Sequence, residues 1–331
     1  MPFPLLIPVV MGAAAVLGAG KTVKAAVDNN EANDINNQAD RIIRRSNEQL
    51  EAAKKLTNDA LEDLGTKKLQ AYSRDIKDFV TEYSKIKNIE LKDSQGLSEV
   101  TQTDFSKETL AELNQACNLA METLSGGAAA LGGGALAAFG AYSGTMMFAS
   151  ASTGTAISTL GGAAATNATL AWLGGGALSA GGMGIAGGTM VLGSLVAGPA
   201  LLIFGGVLGA KADQKLSEAK SNREMAWNHE EEIKLVSAKL NQIQTGARFT
   251  ENLLSKLRTR QRRANKSMAS AIAQYGTNWN DYPKEQKEVI FAAVKSIQLI
   301  KTIIDTPLLS QEGALEDNSI RTLHKIEAEL N

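Results

Sequence analysis

Apolar side chains recur at alternating steps of three and four in the first third of the chain, the pattern of helices that pack through a heptad seam. From residue 69 to residue 86 the seam is unbroken. A weaker seam precedes it, with Ser46 and Gln49 at two of its positions. The strong seam consists of Leu69, Tyr72, Ile76, Phe79, Tyr83 and Ile86, and the weak one of Ile35, Ala39, Ile42, Ala53, Leu56 and Ala60.

The chain between these seams and residue 122 predicts two interruptions and one further helix. Gly65 either separates two helices or bends a single one, because glycine weakens a helix interior. Residues 93–106 predict a loop, and residues 107–124 predict a helix. Residues 23–122 are therefore expected to form a helical, coiled-coil-like arm, the first arm.

A second and more regular seam begins at Ile233 and predicts one long helix over about 213–275. A turn is expected at Gly276–Pro283, followed by a helix over 284–304 and a last helix over 317–330. Residues 211–331 form the second arm, and the two arms are expected to pack antiparallel on each other. The seam consists of Ile233, Val236, Leu240, Ile243, Ala247, Thr250, Leu254 and Leu257.

The heptads stop in the middle of the chain, where residues 123–210 contain no charged side chain and 23 of the 31 glycines. This uncharged centre separates residues 21–122, of net charge −4, from a second arm of net charge +3. Glycine disfavours an exposed helix, but it permits close helix packing where lipid or protein buries the backbone. The centre is therefore predicted to be a Gly/Ala-rich helical hairpin with two to four membrane segments.

Residues 1–22 predict an N-terminal hydrophobic helix that spans or lies in a membrane, because Phe3–Ala19 is uncharged and of nearly spanning length. Lys21 and Lys24 follow this stretch, and further cations follow the centre from Lys211 onwards. By the positive-inside rule both arms are expected to be cytoplasmic. The predicted location is a membrane.

Small residues spaced four apart in the centre predict a glycine zipper through which helices of the same or another copy pack closely. We expect this zipper to drive self-association into a homo-oligomer. The predicted helix-packing and oligomerisation residues are Gly140, Gly144, Gly176, Ala180, Gly184, Gly188, Gly205 and Gly209.

A basic stripe in the second arm places six cations within eleven residues: Lys256, Arg258, Arg260, Arg262, Arg263 and Lys266. Such a stripe either pairs with the acidic first arm or contacts anionic lipid headgroups. Aromatic residues are not interleaved with it, and the chain carries a net charge of −1, so nucleic acid is not an expected partner.

No spacing in the sequence predicts catalysis, a cofactor or a metal site. Gly18–Thr22 resembles the end of a phosphate-binding loop but has Ala15 where the pattern requires glycine. Gly182–Gly187 fits a dinucleotide pattern without the expected acidic residue about 20 positions later. One cysteine and two histidines exclude a Cys/His metal site. A non-enzymatic protein with no small-molecule substrate is therefore expected.

Four stretches carry a resemblance to a family: Ser152–Ile157, Gly162–Gly174, Val196–Ala200 and Asp305–Leu309. Together with the layout they resemble a widespread, largely uncharacterised group of bacterial proteins with an N-terminal hydrophobic helix, two helical arms and a Gly/Ala-rich centre. The resemblance implies a bacterial origin, which makes the bacterial inner membrane the expected location, but it brings no catalytic residues. The architecture is more loosely similar to that of α-helical pore-forming proteins.

The sequence therefore predicts an all-α protein in which long antiparallel coiled-coil-like helices flank a Gly/Ala-rich hydrophobic hairpin. Its expected function is that of a self-associating membrane protein, acting as a pore, a membrane-permeabilising effector or a membrane scaffold. The expected partners are the lipid bilayer and other copies of the chain. The alternative is a soluble coiled-coil assembly protein whose Gly/Ala-rich centre forms a buried oligomer core.

Overall fold

The computed structural model describes residues 19–89, 107–125, 136–137, 139–142, 212–310 and 313–330. This part of the chain is almost entirely helical and contains no strand, which confirms the all-α prediction. The helices are α1 (Ala19–Gln70), a π-helical segment (Ala71–Ile76), α2 (Lys77–Tyr83), α3 (Lys107–Ser125), α4 (Ala212–Tyr275), a 3-10 turn (Trp279–Asp281), α5 (Lys284–Asp305) and α6 (Asp317–Leu330). Residues 136, 137 and 139–141 are also helical.

The predicted boundaries in the second arm agree with these helices to within one residue. The heptad seam predicted on α4 is buried at every position except Val236, which is half-buried. At the predicted turn, Gly276 takes a φ of +77°, which glycine adopts without strain. The Tyr282 hydroxyl donates to the Gly276 carbonyl at 2.7 Å and so closes the turn.

In the first arm the strong seam is buried throughout, but the weak seam is wrong at two positions. Gln49 and Leu56 are exposed, while their neighbours Leu50 and Thr57 are buried. An α-helix has 3.6 residues per turn, so a strict 3.5-residue pattern drifts around its surface over several turns. Thr57 is buried at little cost because its hydroxyl donates to the carbonyls of Ala53 and Leu240.

A π-helical segment joins α1 to α2, and the seam did not predict it. All of its residues except Arg74 are buried, including the carboxylate residue Asp75. A π turn adds one residue to a turn of helix and often occurs at functional positions. Helix α3 packs against this segment and α2.

The described residues divide into two compact units. The first contains residues 19–48 and 212–234, and the second contains residues 49–89, 107–125, 235–310, 313–330 and those of 136–142 that are described. In the first unit the helices pack through small residues such as Ala32 and Ala219. The core of the second unit is formed by the π segment, α3, the end of α4, α5 and α6.

The prediction of antiparallel arms is wrong, because α1 and α4 run parallel within each unit. Their partner residues advance together along both helices. The pairs are Asn36–Asn222 and Asn47–His229 in the first unit, and Thr57–Leu240, Asp63–Arg248 and Asp75–Arg258 in the second.

Among the described residues, no helix is long and apolar enough to cross a bilayer. The predicted N-terminal hydrophobic stretch up to residue 18 and the predicted loop over 93–106 lie outside this part of the chain. So do all residues of the uncharged centre from 143 to 210.

Candidate functional site

The described residues of 136–142 belong to the uncharged centre and pack inside the second unit, and this docking contact is the candidate functional site. Leu136, Ala137, Phe139, Ala141 and Tyr142 are all buried. Three of them share a core cluster with α1 and α4 and with the segment that follows α5. The helical arms therefore hold this segment as part of their own core.

Two glycines set the distance between α1 and the docked segment. A Cβ atom on Gly65 would lie 2.0 Å from the Leu136 carbonyl oxygen, and a Cβ atom on Gly140 would lie 1.9 Å from the Leu61 carbonyl oxygen. The two backbones thus touch, in the way that small residues permit between helices. Gly65 neither ends nor separates a helix, since α1 continues through it to Gln70. Gly140, predicted to be a helix-packing residue, makes this contact within the chain.

Lys68 fastens the end of the docked segment. Its side chain is fully buried, and its Nζ donates to the carbonyl oxygens of Phe139, Gly140 and Tyr142 at 3.4, 3.2 and 3.0 Å. A cation is favoured there, because the carbonyls at the end of a helix carry partial negative charge. Burial nevertheless lowers the pKa of Lys68 to about 7, against a smaller opposing effect of Asp305.

A third fastening comes from the chain after α5. The backbone N–H groups of Leu308 and Leu309 both donate to the Ala141 carbonyl, at 2.7 and 3.1 Å. Pro307 lies just beyond α5 and cannot extend a helix, which leaves these N–H groups available. The stretch 305–309, which carried part of the family resemblance, thus has a structural role in docking.

The sequence indicated neither Lys68 nor Gly65 as a functional residue. Lys68 lies in a helix rich in charged residues, and the sequence alone predicts an ordinary solvent-exposed lysine. Only its place next to Leu69 and one turn after Leu64, both buried, hints that it faces inwards. The docking partner is 71 residues away in the sequence, so no local pattern reveals it.

The basic stripe of α4 divides into three groups. Arg258 is buried and its Nε donates to Asp75 Oδ2 at 2.5 Å, while Arg262 Nε lies 3.0 Å from Asp75 Oδ1. Arg263 and Lys266 line a surface cavity. Lys256 and Arg260 are exposed and form no ion pair with any described residue. Only the middle of the stripe therefore pairs with the first arm.

A network of amide side chains surrounds the buried carboxylate of Asp75. The Arg258 Nη1 donates to Gln70 Oε1 at 3.1 Å, and Asn265 Nδ2 donates to the backbone carbonyl of Asp75 at 2.9 Å. Gln261 Nε2 in turn donates to Asn265 Oδ1 at 2.7 Å. These bonds hold the π segment against α4. The sequence offered one hint, an aspartate directly before the seam residue Ile76.

The other predicted oligomerisation residues, Gly144, Gly176, Ala180, Gly184, Gly188, Gly205 and Gly209, lie outside the described residues. Their role in self-association stays a prediction.

In comparisons with known proteins, no protein-family model, curated protein or solved structure matches this chain. The resemblance to a bacterial family therefore stays a prediction.

Proposed function

We propose that this protein is a membrane-active, non-enzymatic α-helical protein whose arms carry the uncharged centre and present it to a bilayer. It acts there as a self-associated pore, permeabilising effector or scaffold. The observation that supports this best is the docking of residues 136–142 by Gly65, Lys68 and the Leu308–Leu309 backbone. These contacts hold an early part of a segment that has 88 residues without a charge.

Such a segment is stable only in surroundings that bury its backbone and its apolar side chains. Water does not stabilise the apolar side chains of Ala and Leu. A glycine-rich helix is stable only where its backbone is packed against lipid or protein. The described residues of 136–142 are packed in this way inside the second unit. The most apolar later stretch, Met190–Leu208, has the length and composition to be buried in a bilayer.

The test is flotation of the full-length protein with liposomes, followed by a carbonate wash and a dye-leakage assay. Ile203→Lys places a charge in the most apolar stretch and should abolish carbonate-resistant binding, because a charge in a bilayer core is costly. Leu235→Lys makes the same change on α4, where Leu235 is 67% exposed, and should leave binding intact. Wild-type protein that never associates with liposomes would contradict the proposal.

The second candidate function is a soluble coiled-coil assembly protein whose Gly/Ala-rich centre forms the oligomer core. It is favoured by large apolar side chains that the described arms leave exposed, of which Leu56 at 50% and Leu235 at 67% are the most exposed. In that case Leu235→Lys would break an oligomer that forms without lipid, as measured by sedimentation. Ile203→Lys would then prevent assembly in solution rather than binding to liposomes.

A further inference from the structure

A cavity of about 500 Å³ opens between α2 and α4 beside the Asp75 network. Its walls carry opposite charges, and its volume lies within the roughly 300–1,000 Å³ of small-ligand sites. The acidic wall belongs to α2 and the basic wall to α4. The polar residues that line these walls include Asp78, Thr81, Glu82, Arg262, Arg263 and Lys266.

The basic wall contains three cationic side chains with N–H groups that can donate hydrogen bonds to a ligand. Arg262 contacts Asp75 through its Nε, and its side chain remains 55% exposed. Arg263 and Lys266 are exposed, and neither forms an ion pair with any described residue. Arginine and lysine together provide the forked and the single N–H donors that bind phosphate oxygens.

The acidic wall presents a carboxylate in need of a counter-charge. Asp78 forms no ion pair with any described residue, whereas Glu82 is paired with Lys85 at 2.6 Å. Partial burial, followed by the charges of Asp75 and Glu82, raises the pKa of Asp78. A cation placed next to Asp78 would relieve this repulsion.

We propose that this cavity binds a phosphoethanolamine group, with the phosphate on Arg262, Arg263 and Lys266 and the ammonium on Asp78. This inference deepens the proposed membrane function, since it names the headgroup that the arms recognise. Phosphoethanolamine occurs both as the headgroup of a phospholipid and as a free small molecule, and the two sources share this chemistry.

The arrangement of charges selects a zwitterion over a simple anion. A phosphate ion without an ammonium group would bind the cations of α4. It would leave the charge of the Asp78 carboxylate unneutralised, and the two negative charges would repel each other. Phosphocholine carries the same two charges, but its quaternary ammonium has no N–H to donate to the Asp78 carboxylate. The expected order of affinity is therefore phosphoethanolamine, then phosphocholine, then inorganic phosphate.

The first experiment titrates the full-length protein with O-phosphoethanolamine, phosphocholine and inorganic phosphate by calorimetry. Arg263→Gln and Lys266→Gln should each weaken O-phosphoethanolamine binding by roughly tenfold, the value of one charge-assisted hydrogen bond. Asp78→Asn should weaken O-phosphoethanolamine but not inorganic phosphate. Lys239→Gln, an exposed lysine of α4 far along the helix from the cavity, is the matched control and should leave affinity unchanged.

The second experiment measures flotation with liposomes of phosphatidylcholine alone or with added phosphatidylethanolamine. Recruitment by phosphatidylethanolamine that is lost in Arg263→Gln identifies the lipid as the source. Calorimetric binding without such recruitment identifies the free molecule. The proposal is overturned if calorimetry detects no O-phosphoethanolamine binding, or if Lys256→Gln, outside the cavity, weakens it as much as Arg263→Gln. Calorimetry in solution needs no membrane insertion, so this site and the proposed function fail separately.

Discussion

Lys68 is buried where a lysine is usually unstable, and three backbone carbonyls make the position tolerable. Its Nζ donates to all three, and a buried acceptor left without a donor costs about 1–3 kcal/mol. Desolvation still outweighs the favourable effect of Asp305, which is why the pKa of Lys68 falls to about 7. The residue thus stabilises the docked segment by hydrogen bonds while its own charge is disfavoured.

This balance predicts how stability depends on pH. Between pH 7 and the ordinary lysine pKa of 10.5, the unfolded chain binds a proton on Lys68 that the folded chain largely lacks. The contribution of Lys68 to the free energy of unfolding should therefore rise with pH in this window, by at most about 1.4 kcal/mol per unit, and should level off at lower pH. Urea unfolding of wild type and Lys68→Met from pH 6 to 9.5 measures it. A difference between the two proteins that does not change with pH would contradict the assignment.

Asp75 and Asp78 are three residues apart, but we expect their substitution by asparagine to have opposite effects on stability. Asp75→Asn leaves the buried Arg258 without a counter-charge and should destabilise the protein by roughly 3–5 kcal/mol. Asp78→Asn removes a carboxylate that its neighbours repel, so stability at neutral pH should stay the same or rise slightly. Chemical unfolding at pH 7 compares them. Equal losses in both variants would mean that the network around Asp75 is not the source of the stability.

At the scale of helices, close contact between α1 and the docked segment depends on glycine. Gly65→Ala should destabilise the protein by about 1–3 kcal/mol, although alanine favours a helix, because its Cβ would collide with backbone at Leu136. The backbone amides of residues 139–142 should then exchange hydrogen faster. Exchange measured by mass spectrometry, together with urea unfolding, tests this.

Gly246→Ala is the matched control for that prediction. Gly246 also lies inside a long helix, but a Cβ there would meet only side-chain ends, of which the nearest is Leu308 Cδ1 at 3.2 Å. The gain in helix propensity, about 1 kcal/mol, should offset the crowding and leave stability close to wild type. A loss in Gly246→Ala as large as that in Gly65→Ala would mean that backbone contact is not what makes Gly65 necessary.

The sequence predicted which segments are helices far better than how they pair. The seam Leu69–Ile86 located α2, and the seam Ile233–Leu257 located the buried face of α4. Both seams were visible because burial of one helix face places apolar residues at the same period on every turn. The weak seam failed at Gln49 and Leu56, where a shift of one residue is undetectable without knowing that Thr57 bonds to Leu240. The parallel direction of the arms and the Lys68 contact depend on residues distant in sequence, which no local period encodes.

At the scale of the whole chain, the arms keep most of their own apolar seams buried. Leu240, a seam residue of α4, is only 3% exposed, so within the described chain it serves the fold and is not available to another copy. Leu235, at 67% exposure, is the most exposed of the large apolar side chains on α4, ahead of Trp227 and Met225, and is a position through which the arms could meet a second copy.

We predict that the centre drives self-association through Gly176, Ala180, Gly184 and Gly188, which lie four apart along one face of a predicted helix. Gly184→Leu raises local hydrophobicity but holds helices apart, so a loss of association cannot be attributed to failed insertion. Leu235→Ala removes the most exposed of the large apolar side chains on α4 and is the matched comparison. Chemical crosslinking in liposomes should give fewer multimers for Gly184→Leu than for Leu235→Ala. The opposite ranking would place assembly in the arms, because only then would the apolar surface of α4 matter more than close packing of the centre.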